Sequence, residues 1–103
     1  MSGPLAGFKI IDMTSVISGP LSTMILADQG ADVIKVENPD GGDFTRALSN
    51  RRGGFSASFL NNNRSKRSIA VDTKTPEGME IVKKLLRTAD VFIQNMRPGV
   101  VER

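Results

Sequence analysis

Three stretches, Lys9-Ile10-Ile11-Asp12-Met13, Ser18-Gly19-Pro20 and Asp32-Val33-Ile34-Lys35-Val36-Glu37, decide the fold of this chain. The first is a short apolar run with a Gly before it and a Gly-Pro pair soon after, which reads as a buried strand rather than a helix. Pro20 suits a first helical turn, because its φ is already set and its missing N–H would have had no intrahelical partner. The helix is predicted to run to about Gln29, burying Leu21, Met24, Ile25 and Leu26, with Gly30 as a left-handed stop. Asp32 to Glu37, β-branched and apolar, reads as a second strand closed by Asn38-Pro39. Together the three make a βαβ unit.

Outward from that unit, residues 40 to 66 show no sustained periodicity and are broken by Gly41-Gly42, Gly53-Gly54 and Asn61-Asn62-Asn63. A loop of that length inside a compact domain is usually functional or mobile. A short helix is predicted around Asp43 to Leu48, and Phe44, Phe55 and Phe59 are predicted to pin the segment down. Ser68 to Asp72 reads as strand three. Thr75-Pro76-Glu77 then opens a helix, with Thr75 as N-cap and an apolar face of Met79, Val82, Leu85, Leu86 and Ala89. Val91 to Gln94 is strand four, and after Pro98-Gly99 a further helix begins, so the sequence reads as part of a longer protein. At 103 residues the chain is expected to be a single small domain or a piece of a larger one. Strands alternating with helices imply an α/β, Rossmann-like parallel sheet with flanking helices, in which ligands gather at the carboxyl ends of the strands.

Composition narrows the chemistry. Of 103 residues 39% are hydrophobic and 24% charged, as in an ordinary globular domain, and His and Cys are both absent. That excludes disulfides, thiol nucleophiles, Ser-His-Asp triads and nearly all zinc sites. No apolar run approaches the roughly 20 residues of a membrane helix, and the start lacks a signal-peptide pattern, so a cytoplasmic location is expected. The net charge of +3 is unevenly placed: Arg46, Arg51, Arg52, Arg64, Lys66 and Arg67 lie between Asp43 and Asp72 with no acid among them. An anionic partner or a solvated basic loop fits this equally well.

The segment from Ser15 to Pro20 leads into a helix amino terminus, where unpaired amides favour a phosphate or a developing oxyanion, though a plain helix entry accounts for it too. Glu37 stands where a dinucleotide fold holds a ribose, but the G-x-G-x-x-G turn is missing and no phosphate-loop motif exists. Arg51-Arg52-Gly53-Gly54-Phe55 offers one RNA-binding-like element, and single copies carry little information. Asp40 and Asp43 lack the further ligands of a calcium site and read as turn residues.

Five phrases in fixed order point further: Leu5 to Asp12, Ser18-Gly19-Pro20, Ala27 to Pro39, Asn63 to Ile69, and Ala89 to Gly99. Together they resemble the amino-terminal end of class III CoA-transferases, the CaiB/BaiF family, which also includes formyl-CoA transferase and α-methylacyl-CoA racemase. The resemblance implies the amino-terminal part of a larger CoA-binding domain. In a full-length relative, CoA passes between carboxylic acids through anhydride and thioester intermediates on an aspartate, without a metal. That aspartate lies downstream of the residues present, so no catalytic residue is assigned and the chain alone is expected to be inactive. The CoA contacts it implies are Ile17, Ser18, Asn38, Val71, Asp72, Thr73, Lys74, Asn95, Met96, Arg97 and Arg103. Arg and Lys suit the phosphates, and an apolar slot of Ile17, Val71 and Met96 suits the adenine. Many members carry Arg in place of Asn38 and a polar residue in place of Ile17. The long segment between Gly42 and Ser65 resembles transferases more than racemases. The resemblance also implies an interlinked homodimer, no membrane partner and no nucleic acid. The alternatives are an acyl-CoA racemase and a stand-alone basic nucleotide- or RNA-binding module.

Overall fold

The computed structural model describes residues 3–43, 51–52, 55–56, 59 and 62–96. Its centre is a four-stranded, all-parallel sheet built from β1 (Lys9–Met13), β2 (Asp32–Glu37), β5 (Arg67–Ala70) and β6 (Val91–Gln94), in the order β5-β2-β1-β6. Helix α1 (Ser18–Asp28) links β1 to β2, and α2 (Pro76–Arg87) links β5 to β6. Between β2 and β5 a two-residue antiparallel pair, β3 (Arg51–Arg52) with β4 (Phe55–Ser56), forms in a stretch without strand periodicity. The helix expected around Asp43 to Leu48 lies outside the described residues. So do Phe44 and the side chain of Phe55, while Phe59 is half-buried with its ring centroid 6.0 Å from Lys35 Nζ.

The register explains the two faces. Ile10 pairs with Val33 and Ile11 with Ile34, and alternation sends these pairs to opposite sides of the sheet. One side buries Ile10, Val33, Ala27 and Ala31 beside α1. The other buries Ile11, Ile34, Val36, Val71 and Val82 beside α2, with Leu85, Leu86 and Ala89 partly covered. Each of the Ile and Val side chains removed from water contributes about 1.5–3 kcal/mol. The α2 boundary is as predicted: Thr75 Oγ1 accepts from Gly78 N–H at 3.0 Å, and Pro76 occupies the first turn. Strand β5 starts one residue early and stops two short of Asp72. Its partner β2 ends at Glu37, whose carbonyl takes the Val71 N–H at 2.8 Å. After that, Asp72 Oδ1 accepts from Lys74 N–H and its carbonyl from Thr75 N–H, which turns the chain.

Helix α1 corrects the sequence reading. It buries Pro20, Thr23, Met24 and Ala27, whereas Leu21 and Ile25 are 39% and 47% exposed and Leu26 is half-buried. The helix is apolar on most sides, so hydrophobic spacing alone could not choose its inward face. A polar requirement chose it, because Thr23 Oγ1 donates to the buried Asp12 Oδ2 at 2.7 Å. Gly30, at φ 103, supplies the expected left-handed stop. Among the described residues no helix is long and apolar enough to cross a membrane.

Candidate functional site

Successive strands run outward from β1 through β2 to β5, and then the chain returns to place β6 on the other side of β1. In doubly wound sheets ligands bind outside the carboxyl ends of the strands near such a reversal. The crevice here is bounded by Met13 to Ser15 after β1, Glu37 and Asn38 after β2, Val71 to Thr73 after β5, and Asn95 and Met96 after β6. A cavity of about 210 Å³ is walled by Met13, Val36, Glu37, Asn38, Val71, Thr73 and Met96. A second of about 210 Å³ shares Met13, Val36, Glu37, Asn38 and Met96 and extends to Thr14, Ser15, Lys35, Gly42 and Asp43. Cavities of this size accept a single ring system, while the remainder of a larger ligand would lie in the open crevice.

Of the residues singled out from sequence, Asn38, Val71, Thr73 and Met96 therefore share one wall. Ile17 does not line the cavity with Val71 and Met96: it is 52% exposed at the entry to α1. Ser18 begins α1 and is exposed, and Ile17 at the N-cap supplies no side-chain cap to the first-turn amides. Asp72 and Lys74 sit exposed in the turn after β5. Arg97 and Arg103 lie outside the described residues. Three of the polar candidates already bind their own chain, Asp72 through the Lys74 N–H at 3.0 Å. Asn38 Oδ1 accepts from Asp40 N–H at 2.8 Å and its carbonyl from Gly42 N–H at 3.0 Å, which shapes the turn after β2. Asn95 accepts from Ser15 N–H at 3.2 Å and donates through Nδ2 to Ser15 O at 2.9 Å, tying the β1 and β6 ends together.

Beneath this crevice lies a charged layer that the sequence reading missed. Alternation places Asp12 on the same face as Ile10, and Lys35 and Glu37 on the same face as Val33, so the α1 side of the sheet turns from apolar to ionic toward its carboxyl end. Asp12 and Lys35 are 0% and 1% exposed. Asp12 Oδ1 accepts from the Thr14 N–H at 2.8 Å and from the Thr14 hydroxyl, while Oδ2 accepts from Thr23 Oγ1 at 2.7 Å and Lys66 Nζ at 2.8 Å. Two bonds per oxygen fill the capacity of a carboxylate. Burial pushes the Asp12 carboxyl up, but Lys66, Thr14 and Thr23 together outweigh it and hold it below the usual carboxylate range.

Lys66 Nζ has three acceptors, Asp12 Oδ2, Pro20 O at 3.0 Å and Asn63 Oδ1 at 2.7 Å, which match the three N–H bonds of an ammonium. Its own burial still outweighs Asp12 and lowers it from the ordinary lysine value. Lys35 Nζ lies 2.9 Å from Asp43 Oδ2 and donates to Thr14 O at 3.1 Å. Glu37 accepts from Asp43 N–H at 3.0 Å and from Ser68 Oγ at 2.6 Å. The signal was present in sequence: a charge in the middle of a strand apolar on both faces has to be paired where it lies.

Acidic partners also take up half of the basic run, one in this layer and two at the surface. Lys66 is buried against Asp12, Arg64 makes bonds of 3.1 and 2.8 Å to Asp28 Oδ2, and Arg67 reaches both Asp32 oxygens at 3.0 and 2.6 Å. Among the described residues no group of three or more Asp and Glu is arranged to hold a metal ion.

The crevice, the strand order and the sequence phrases converge on one class. The profile of CoA-transferase family III matches residues 5–103, and the chain belongs to that family. It is 50% identical to the succinate–glutarate CoA-transferase of Agrobacterium fabrum over 91% of its own length and 25% of that protein. It is 46% identical to the formyl-CoA:oxalate CoA-transferase of an Escherichia coli O6:H1 strain over 99% of its length and 25% of that protein. A crystal structure of a CaiB/BaiF family protein from Brucella suis superposes with a TM-score of 0.91 at 40% identity, covering 99% of this chain and 28% of that one. The chain thus spans about a quarter of the length of the curated relatives it matches.

Proposed function

We propose that this chain supplies CoA-binding surface to a class III acyl-CoA:carboxylate CoA-transferase, the nucleotide end of CoA resting at the carboxyl ends of the sheet. The observation that carries this reading is the shared wall of Asn38, Val71, Thr73 and Met96, four residues chosen from the family resemblance and drawn together from three strand ends. Val71, Met96, Met13 and Val36 offer an apolar slot to the adenine ring. Lys74, exposed beside Thr73, suits a phosphate, as do the uncapped amides that open α1. Family membership implies CoA thioester substrates. The transferase is preferred to the racemase because the relatives above carry transferase names. Those names include succinate with glutarate and formate with oxalate, so the acyl class proposed is a small carboxylic acid. We propose a homodimer for the whole enzyme, a cytoplasmic location, and binding without turnover by this chain alone, since the resemblance puts the acylated aspartate outside it.

The competing nucleic-acid reading loses ground because Arg64 and Arg67 already pair with Asp28 and Asp32. Calorimetric titration with CoA and with dephospho-CoA at two salt concentrations tests the two. Tighter binding of CoA, weakened roughly tenfold by Lys74→Ala or Arg103→Ala and unaffected by Arg51→Ala, is expected. Equal binding of both ligands, or tighter and steeply salt-dependent binding of single-stranded RNA, would overturn the proposal.

A further inference from the structure

Val16 has a φ of 74°, in the left-handed region, which is a costly place for a β-branched side chain. Three consecutive residues around it are gripped from outside the turn. Thr14 O accepts from Lys35 Nζ at 3.1 Å, Ser15 is bound at both its N–H and its carbonyl by Asn95, and Val16 N–H donates to Asp43 Oδ1 at 3.1 Å. Lys35 and Asp43 are themselves joined at 2.9 Å, with side chains 1% exposed, and the Asp43 N–H is anchored on Glu37. A buried ion pair is a poor source of net stability, because two apolar side chains of the same volume often do as well or better. What apolar groups cannot do is hold a backbone carbonyl on one side of a turn and an amide on the other.

We propose that the Lys35–Asp43 ion pair is a positioning pair, which clamps the turn from Thr14 to Ile17 and presets the uncapped amino end of α1 for its ligand. The clamp rests on the geometry just given; only its consequence for affinity rests on the CoA reading above. Strain at Val16 is then held by the pair, and the first amides of α1 meet an incoming phosphate without having to reorganise.

The test uses this chain with Lys35→Met/Asp43→Leu, which swaps the pair for apolar groups of similar size, and Asp43→Asn, which keeps an oxygen for Val16. In the double variant, amide hydrogen exchange at Val16 is expected to speed up at least about tenfold while Ile11 and Ile34 keep their protection. The Val16 Cα and Cβ chemical shifts should move away from left-handed values, and CoA affinity should fall by a comparable factor. Asp43→Asn should hold Val16 exchange near the wild-type rate, a rescue that a purely structural pair would not produce. Unchanged Val16 exchange and shifts in the folded double variant would overturn the clamp. If the double variant does not fold, Asp43→Asn against Asp43→Ala decides: slow exchange in the first and fast in the second supports it, and equal rates overturn it. Should Val16 respond while the wild-type chain binds no CoA, the clamp stands and the CoA reading falls.

Discussion

At the scale of single residues, Asp12 shows how a buried charge is made tolerable and what its loss would do. Its four hydrogen bonds come from the Thr14 backbone, two hydroxyls and one ammonium, so an amide here removes the charge that offsets the buried Lys66 ammonium and leaves one acceptor oxygen for four donors. Asp12→Asn is expected to lower stability by about 3 kcal/mol in chemical denaturation, and Asp12→Asn/Lys66→Met to recover most of it. The pH dependence follows from the direction of the shift. Asp12 is held below its unfolded value, so its contribution is complete above about pH 4 and is lost as pH falls through the folded value. Asp28, lowered by hydrogen bonds from Arg64, adds to the same acid limb. Lys66 acts with the opposite sign, because a lysine depressed by burial costs stability while it is charged, and that cost is relieved only as pH rises toward the alkaline side. Denaturation series between pH 7 and pH 2 should therefore slope downward in the wild type and distinctly less in Asp12→Asn.

At the scale of elements, the close approach of α2 to the end of β5 makes a sharp prediction. A Cβ on Gly78 would stand 1.9 Å from the Asp72 carbonyl oxygen, backbone that cannot swing aside as a side chain would. Gly78→Ala should cost about 1–3 kcal/mol despite the better helix propensity of Ala, seen by calorimetry as a lower melting temperature. The displacement should also disturb Val71 and Thr73 in the crevice wall. Elements whose boundaries rest on local chemistry were readable from sequence. Strands β1, β2 and β6 begin and end as the apolar runs indicate, and Thr75-Pro76 announces α2. Elements whose orientation depends on a distant partner were not. The inward face of α1 is set by Asp12 calling for Thr23, and β5 is cut where β2 stops offering carbonyls, neither of which periodicity can register. The candidate site divides the same way. Strand carboxyl ends gather Asn38, Val71, Thr73 and Met96 as topology demands, while the self-directed bonds of Asn38 and Asn95 depend on loop geometry that spacing does not encode.

At the scale of the whole molecule, the strand order sets a timetable for assembly. The first strand described, Lys9–Met13, is an interior strand, and one of its two neighbours is Val91–Gln94, the last strand described. Lys9 and Asp90 are 81 positions apart in sequence and yet share two hydrogen bonds, Lys9 N–H to the Asp90 side chain at Oδ2 and Asp90 N–H to Lys9 O, both at 2.8 Å. Pairings between residues so distant repay their loop-closure entropy late, so folding should be slow for a chain of this size. Until the last strand arrives, Ile10 and Ile11 present an open flank in the middle of the future sheet, with backbone groups available to any passing strand. A version ending at Thr88 should therefore show little native circular dichroism and should aggregate, whereas supplying a peptide of residues 89–97 in trans should restore soluble sheet. A folded, monomeric 1–88 chain would show instead that β1 completes its core without β6, and nascent copies would then have no need of a chaperone to guard β1 while β6 is being made.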